Sequence, residues 1–487
     1  MGVKKLLDRT NWYGIDFGTT NSAAVSYTGL SAEKAVSKNY GDGVGRPIPS
    51  IVAINRESGE VIVGREVKDK RNEFNKIYEV FTSIKSIIDS DERWNIAGKI
   101  WTPVDVASEL FKELKSKVEK DGNKIFDEAV VAVPIGFSSE KKECLRKAAK
   151  IAEIDIKMFI SEPTAAFCSR YEEMKGYKYV AVFDWGGGTL DVAILHIENG
   201  RIFEMSTEGM QVAGNDIDIK LAEKMHANFM RGKEHQISFE ELDIQTKDTL
   251  ILKCEDVKCE FSAEDSVRIS INKYDIFGPV QDVIQYNYFS LLVEKEVDQA
   301  LECLERAILK AGLNKSNIDC ILCVGGSSKL RPLQEKMSEL YGEDIVVFPR
   351  KAMWDIADGA ANISSKPGCY ALSKSIGMLL SDGSYFPLLE KGQNIPCDEF
   401  NITLGKVDTD NEARFVFTDA NRDDERTFVQ YVSLPTRQFY DEKLRISCYI
   451  DPNFIFKVKL SSNRMLEQAA EVWEYEKVKI YYNIEGE

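Results

Sequence analysis

The sequence predicts an α/β protein followed by an all-β sandwich, and two observations carry that prediction. "WYGIDFGTTNSAAV", around Asp16, and "VAVFDWGGGTLDVAIL", around Asp184, write one pattern twice: a hydrophobic run, Asp, an aromatic residue, a Gly/Thr cluster, then small apolar residues. Beyond Ile363 the chain changes to short alternating runs, "ARFVFTD", "TFVQYVSLP", "LRISCYI" and "FIFKVKL". Alternation with period two is the signature of half-buried strands, and the spacing suggests about eight of them.

Each repeated stretch resembles a β-hairpin: "WYGID" and "NSAAVSY" flank the turn "FGTT", and "YVAVFDW" and "LDVAILHI" flank "GGGT". Glycine lets backbone N–H groups approach phosphate oxygens with no Cβ in the way, and Thr hydroxyls add donors. Asp16 and Asp184, each just before its turn, would face each other across a cleft. Two carboxylates beside a polyphosphate need a counter-charge, for which Mg2+ is suited.

Composition narrows the function classes. With 487 residues the chain has room for roughly three domains. Its 29% charged and 44% hydrophobic residues describe ordinary globular material. No apolar run reaches the roughly 18 to 20 residues needed to span a bilayer, and "MGVKKLLDRTNW" lacks a signal-peptide core. Leu6 also stands where a myristoylation motif wants Ser or Thr. A cytoplasmic location is the expectation. A net charge of −16 without a dense Lys/Arg run argues against nucleic acid and membrane partners. Ten cysteines without a regular framework fit free thiols in a reducing compartment. Cys320 and Cys323 form a CxxC inside the apolar "CILCVGG", without a second Cys/His pair at metal-ligand spacing, so they read as buried thiols. His196, His226 and His235 carry no catalytic pattern.

Further segments, in order, make the chain resemble the actin-like ATPase superfamily and, within it, the heat shock protein 70 (DnaK-like) chaperone family. They are "GIDFGTTNSAAV", "VVAVPIGFSSEKKECLRKAAKIAEI", "ISEPTAAF", "FDWGGGTLDVAIL", "AGNDID" and "CVGGSSKLRPLQ", and they cover nearly all of residues 12–363. The resemblance implies two ribonuclease-H-like lobes with ATP or ADP and Mg2+ between them, and K+ as a second candidate cation. It assigns Gly18, Thr19, Thr20 and Asn21 to the first phosphate loop, and Gly186, Gly187, Gly188 and Thr189 to the second. Asp16, Asp184 and Asp191 are the implied carboxylates of the cation sites. Glu162 matches the acid that positions the metal shell, and Lys68 the lysine that holds the attacking water.

At the base end the resemblance implies Gly214, Glu255, Lys258, Ser262, Gly325, Gly326, Ser327 and Lys329. Lys329 falls where the family usually stacks an arginine on adenine, and a lysine lacks the planar guanidinium. Cys259 stands where eukaryotic members commonly have an arginine. These departures lead us to expect looser nucleotide binding. In the family, a proline and an arginine eight residues on couple nucleotide state to the second domain; here they are Pro134 and Lys142.

Three regions follow: a nucleotide-binding domain over 1–363, a polar linker over 364–374, and a β-sandwich over 375–487 that resembles the family's peptide-binding subdomain. In a gap-free alignment Met378, Thr403, Ala413 and Phe415 line the peptide pocket, while Ser381 and Lys406 replace the two apolar residues that arch over the peptide. The tail from Ser461 has room for one short helix and a final strand, so no helical lid is expected. The implied function is a slow ATPase and lidless chaperone that binds a polypeptide client. A J-domain co-chaperone and a nucleotide-exchange factor are the implied helpers. An ATP-switched scaffold with one dedicated partner is the alternative, ahead of an actin-like filament protein and a carbohydrate kinase. Against the kinase, nothing reads as a sugar-hydroxyl base near the second loop.

Overall fold

The computed structural model describes residues 10–485 except 30–34, 44, 123, 351, 367, 407–409, 420–427, 438–441 and 465–470. The chain divides into two compact units: Met1–His196 with Met205–Ser365, and Ile197–Glu204 with Lys366–Glu487.

In the larger unit both repeated stretches form the expected hairpins. Strand Thr10–Phe17 pairs antiparallel with Asn21–Gly29, and Tyr179–Trp185 with Leu190–Glu198. Each hairpin's first strand also pairs with a parallel neighbour: Gly14 opposite Val130 of Glu128–Val133, and Val182 opposite Leu322 of Cys320–Val324. A parallel partner next to a central hairpin buries both faces of the strand, so these strands are hydrophobic runs. Tyr179–Trp185 is buried along six of its seven residues. Cys320 and Cys323 are buried free thiols within the parallel neighbour, as expected.

Helices cover the sheets at fixed stops. Thr102 caps Pro103–Glu119 through a reciprocal box with Asp105, and Ser161 caps Glu162–Ser169. Helix Asp355–Ser364 crosses the first hairpin and Glu162–Ser169 so closely that only glycine fits. A Cβ on Gly14 would lie 2.1 Å from Ala361 N, and one on Gly359 would lie 1.7 Å from Ala165 O. The second lobe's core gathers Phe183, Trp185, Leu221, Leu250, Phe289 and Leu304 between its sheet and its helices.

The smaller unit holds two four-stranded antiparallel sheets. One runs Tyr385–Leu389, Ile376–Leu379, Glu412–Thr418, Val429–Pro435; the other runs Phe400–Gly405, Lys443–Ile450, Phe456–Ser462, Glu471–Tyr475. Phe417 of the first stacks on Trp473 of the second, with ring centroids 5.4 Å apart. Each of the four alternating runs quoted from the sequence overlaps one of these strands.

In the tail, Glu471–Tyr475 and Ile480–Asn483 are strands, and Trp473 and Tyr475 pair with Val458 and Phe456 at the period of a sheet. The described residues of the tail hold no helix, and residues 465–470 lie outside them. The expected linker, 364–374, contains the buried strand Tyr370–Leu372. It pairs with strand Ile480–Asn483, whose residues Tyr481–Asn483 in turn pair with Arg201–Phe203.

Candidate functional site

The two Gly/Thr turns meet. A Cβ on Gly187 would stand 2.1 Å from the Thr20 hydroxyl oxygen, and one on Gly188 would stand 3.0 Å from Thr19 Cγ2. Only a bare backbone allows that approach. The first turn is held from outside: Ser50 donates its N–H to Thr20 O at 2.8 Å and its hydroxyl to Gly18 O at 2.7 Å. The second is held at its carbonyls. Gly186 O accepts from Gly214 N and from the Ser327 hydroxyl at 2.7 Å, and Gly187 O accepts from Asn215 N at 2.8 Å.

Beside the turns lies a cavity of about 500 Å³. Its lining includes Asp16, Gly18, Thr19, Thr20, Asn21, Lys68, Glu162, Asp184, Gly186, Gly187, Gly188, Thr189, Glu255, Gly325, Gly326 and Lys329, so the structure brings together most of the residues expected there. Gly325 has φ +82°, and a Cβ on it would come within 2.5 Å of Asp184 Oδ1, so glycine is required twice over. Cys259 also lines the cavity and is exposed.

The remaining expected residues stand nearby in other roles. Lys258 donates to Gly214 O at 3.0 Å and to Asp218 Oδ2 at 2.7 Å. Asp191 lies in the adjoining cavity of about 330 Å³, which Pro134 also lines, and accepts from Ile135 N at 2.8 Å. Ser262 is exposed, and its hydroxyl turns back to Cys259 O at 2.7 Å. Lys68 and Glu255, expected to serve the phosphates and the sugar, bind each other at 2.8 Å.

Four carboxylates converge with little solvent: Glu162, Asp184 and Asp191 are buried and Asp16 is half-buried. Burial first, then the Glu162 charge, pushes Asp16 and Asp191 up to about 7. Asp184 is held well above the usual carboxylate range, again mainly by burial. Lys85 opposes these shifts and pairs with Glu162 at 2.6 Å. Sequence reasoning missed Lys85, Ser50 and Asn215. The available signal for Lys85 was a lysine inside the apolar run "SIKSII".

In the smaller unit the expected peptide-pocket residues are spread. Met378 and Phe415 are buried in one sheet, Ala413 is half-buried beside them, and Thr403 is exposed on the other sheet. Lys406 does not reach over a groove. It is buried, with its ammonium on the carbonyls of Asp410 and Arg437.

Paired hairpins whose Gly turns meet over buried carboxylates define an α/β fold of the actin-like ATPase class. The sequence model of the Hsp70 protein family matches residues 89–361, more than half of the chain, and the chain belongs to that family. Members of the family bind ATP and ADP with Mg2+, hydrolyse ATP, and engage polypeptide clients together with J-domain and nucleotide-exchange co-chaperones. Among the described residues, no helix is long and apolar enough to cross a membrane.

Proposed function

We propose that the chain binds ATP with Mg2+ between its two Gly/Thr turns, hydrolyses it slowly, and engages a polypeptide through the β-domain of residues 375–487. The observation that carries this reading is the meeting of the two turns over four buried or half-buried carboxylates. That many acids beside one cavity call for a cation, and the orphaned buried atoms Thr20 Oγ1 and Asp191 Oδ2 await a partner. The residues present therefore fit a metal–nucleotide. Asp16, Asp184 and Asp191 would hold the cation's shell, and the two turns would hold the phosphates. Mg2+ supplies charge neutralisation at the transferring phosphoryl group.

The chain's own groups do the rest. Thr189 and Thr19 offer hydroxyls at the mouth of the turns, and Glu162 orients the metal's water shell. Lys68 would exchange Glu255 for the γ-phosphate side of the cleft and steady the attacking water, a role realised mainly in the transition state. Glu255 and Lys258, on helix Ile244–Glu260, and Ser262, in the turn that follows it, are candidates for the adenosine side. Chelation tests the reading. EDTA should abolish phosphate release and added Mg2+ should restore it, and metal-independent turnover would remove the assignment.

A second reading, an ATP-switched scaffold for one dedicated partner, is favoured by Lys406. An ammonium committed to two backbone carbonyls supplies no apolar arch for a generic unfolded peptide. Proteins co-purifying with an Asp184→Asn variant in ATP, compared with ADP, separate the two: many clients support the first reading, one stoichiometric partner the second.

A further inference from the structure

Besides the two turns and the acid cluster, the lining of the 500 Å³ cavity includes a second set of side chains: Arg46, Pro47, Cys259, Lys329, Met353 and Ile356. They carry nitrogen donors, sulfur and hydrocarbon, and no oxygen; an ammonium and a guanidinium donate only, and a thiol or thioether accepts weakly. The oxygens around this set are already engaged. Asp355, two residues after Met353, holds Arg170 at 2.8 Å, the Ser262 hydroxyl turns to Cys259 O at 2.7 Å, and Glu255, the candidate for the sugar, holds Lys68 at 2.8 Å. Lys329 closes the one-turn 3-10 helix Ser327–Lys329, whose two serines are buried. Ser327 donates its hydroxyl to Gly186 O at 2.7 Å and Ser328 donates to Val324 O, so the turn keeps a fixed place beside the second Gly/Thr turn. Its lysine is exposed, and among the described residues the ammonium has no hydrogen bond or ion pair.

We propose that Lys329 is a specificity-determining residue, and that the cleft takes purine nucleotides as a class, accepting guanine and hypoxanthine about as well as adenine. This rests on the reading of the cleft as a metal–nucleotide site. With the phosphates in the turns, the base falls to the donor-rich set. Each of these purines offers N7 as an acceptor; guanine and hypoxanthine add O6 beside it, where adenine puts an amine donor. An ammonium rewards N7 and O6 and gives the amine nothing. Selection for adenine needs an acceptor held for that amine, and a site built in that way rejects the wrong partner by roughly 10⁴-fold or more, whereas apolar walls discriminate by only about 10- to 200-fold. Pro47, Met353 and Ile356 are such walls, and a thioether adapts to either ring. The lysine itself lacks the planar group that would select by stacking.

The test reads affinity rather than turnover: calorimetric titration of the full-length protein with ADP, IDP, GDP and UDP in Mg2+. IDP and GDP should bind within about ten-fold of ADP, and UDP, which lacks the N7 edge, should bind more than about ten-fold weaker than any of them. A larger preference for ADP over either purine overturns the proposal. So does UDP binding within that range, which would show that the phosphates alone are read. Two variants then address Lys329: Lys329→Glu supplies an acceptor for the adenine amine, and Lys329→Met removes the donor. Both lose a positive charge, which weakens every diphosphate alike, so the ratio of ADP to IDP affinity carries the information. It should move towards ADP by about ten-fold in Lys329→Glu and by about three-fold in Lys329→Met, the scale of one charged hydrogen bond. An unchanged ratio in Lys329→Glu removes Lys329 from base recognition. If Lys329→Glu does not fold, Lys329→Met decides by the same ratio. A wild type that binds none of the four diphosphates refutes the underlying reading, whereas ADP binding with IDP and GDP rejected refutes this inference alone.

Discussion

At the residue scale, the cleft pairs groups that the chemistry would use separately. Lys68 and Glu255 neutralise each other at 2.8 Å, each about a quarter exposed, so their attraction is moderated by solvent and can be exchanged for nucleotide contacts. Lys68→Ala should leave ATP binding nearly intact while single-turnover hydrolysis falls by roughly 100-fold or more, as for a charged group that acts in the transition state. An unchanged rate would reassign the role. The acids predict a pH response in EDTA. Asp16 and Asp191 titrate near 7 in the fold against about 3.9 unfolded. Between those values the folded state holds protons that the unfolded state has released, so stability rises as pH falls through 7. The thermal midpoint without metal should therefore be higher at pH 6 than at pH 8. A midpoint that is lower at pH 6 would contradict this account of the cluster.

At the element scale, helix Asp355–Ser364 locks the first lobe by close approach. Gly359 meets the Ala165 carbonyl and Gly14 meets the turn around Ala361, both closer than any Cβ allows. Backbone cannot yield as a flexible side chain does, so Gly359→Ala should cost about 3 kcal/mol or more through forced separation of the two helices. Denaturant unfolding of this variant against wild type measures it, and a loss below about 0.5 kcal/mol would show that the crossing relaxes freely. The two phosphate-loop candidates differ in how they are held. The first leans on Ser50 through its carbonyls, and the second on Gly214, Asn215 and Ser327. Ser50→Ala should therefore weaken nucleotide binding, and it should also lower the unfolding midpoint modestly, because Gly18 O and the buried Ser22 hydroxyl lose a partner. Calorimetric titration with ADP reads the first effect, and a wild-type affinity would exclude Ser50 from a supporting role.

At the scale of the whole molecule, the family match lies almost wholly within the larger unit, at residues 89–361, and polypeptide binding by the smaller unit is our proposal. Met378 and Phe415 are committed to the interior of their sheet, and Lys406 is committed to backbone carbonyls. Model apolar peptides should consequently bind weakly and dissociate fast, and ATP should change their affinity little. A nucleotide shifts an equilibrium only by its differential interaction with two states. Peptide release from the full-length protein in ATP and in ADP, with an apolar and an acidic peptide, measures this. Strong acceleration by ATP with the apolar peptide would establish a conventional chaperone cycle, and tight binding of neither peptide would favour the single-partner reading.

The sequence by itself determined the hairpins, their Gly/Thr turns, the placement of Asp16 and Asp184, and the strands after Ile363. These are written in contiguous residues, where hydrophobic period and turn chemistry act locally. Tertiary structure alone decided what joins distant segments. It paired Lys85 with Glu162 and Lys68 with Glu255, and it set Ser50 behind the first turn. It tied the Ser262 hydroxyl to the Cys259 carbonyl, buried Lys406, and made Glu471–Tyr475 a strand by supplying Phe456–Ser462 as a ladder partner. The physical reason is common to all of these. A side chain's partner, burial and charge environment depend on which remote backbone comes to lie beside it, whereas a turn or a strand period depends only on its neighbours in the chain.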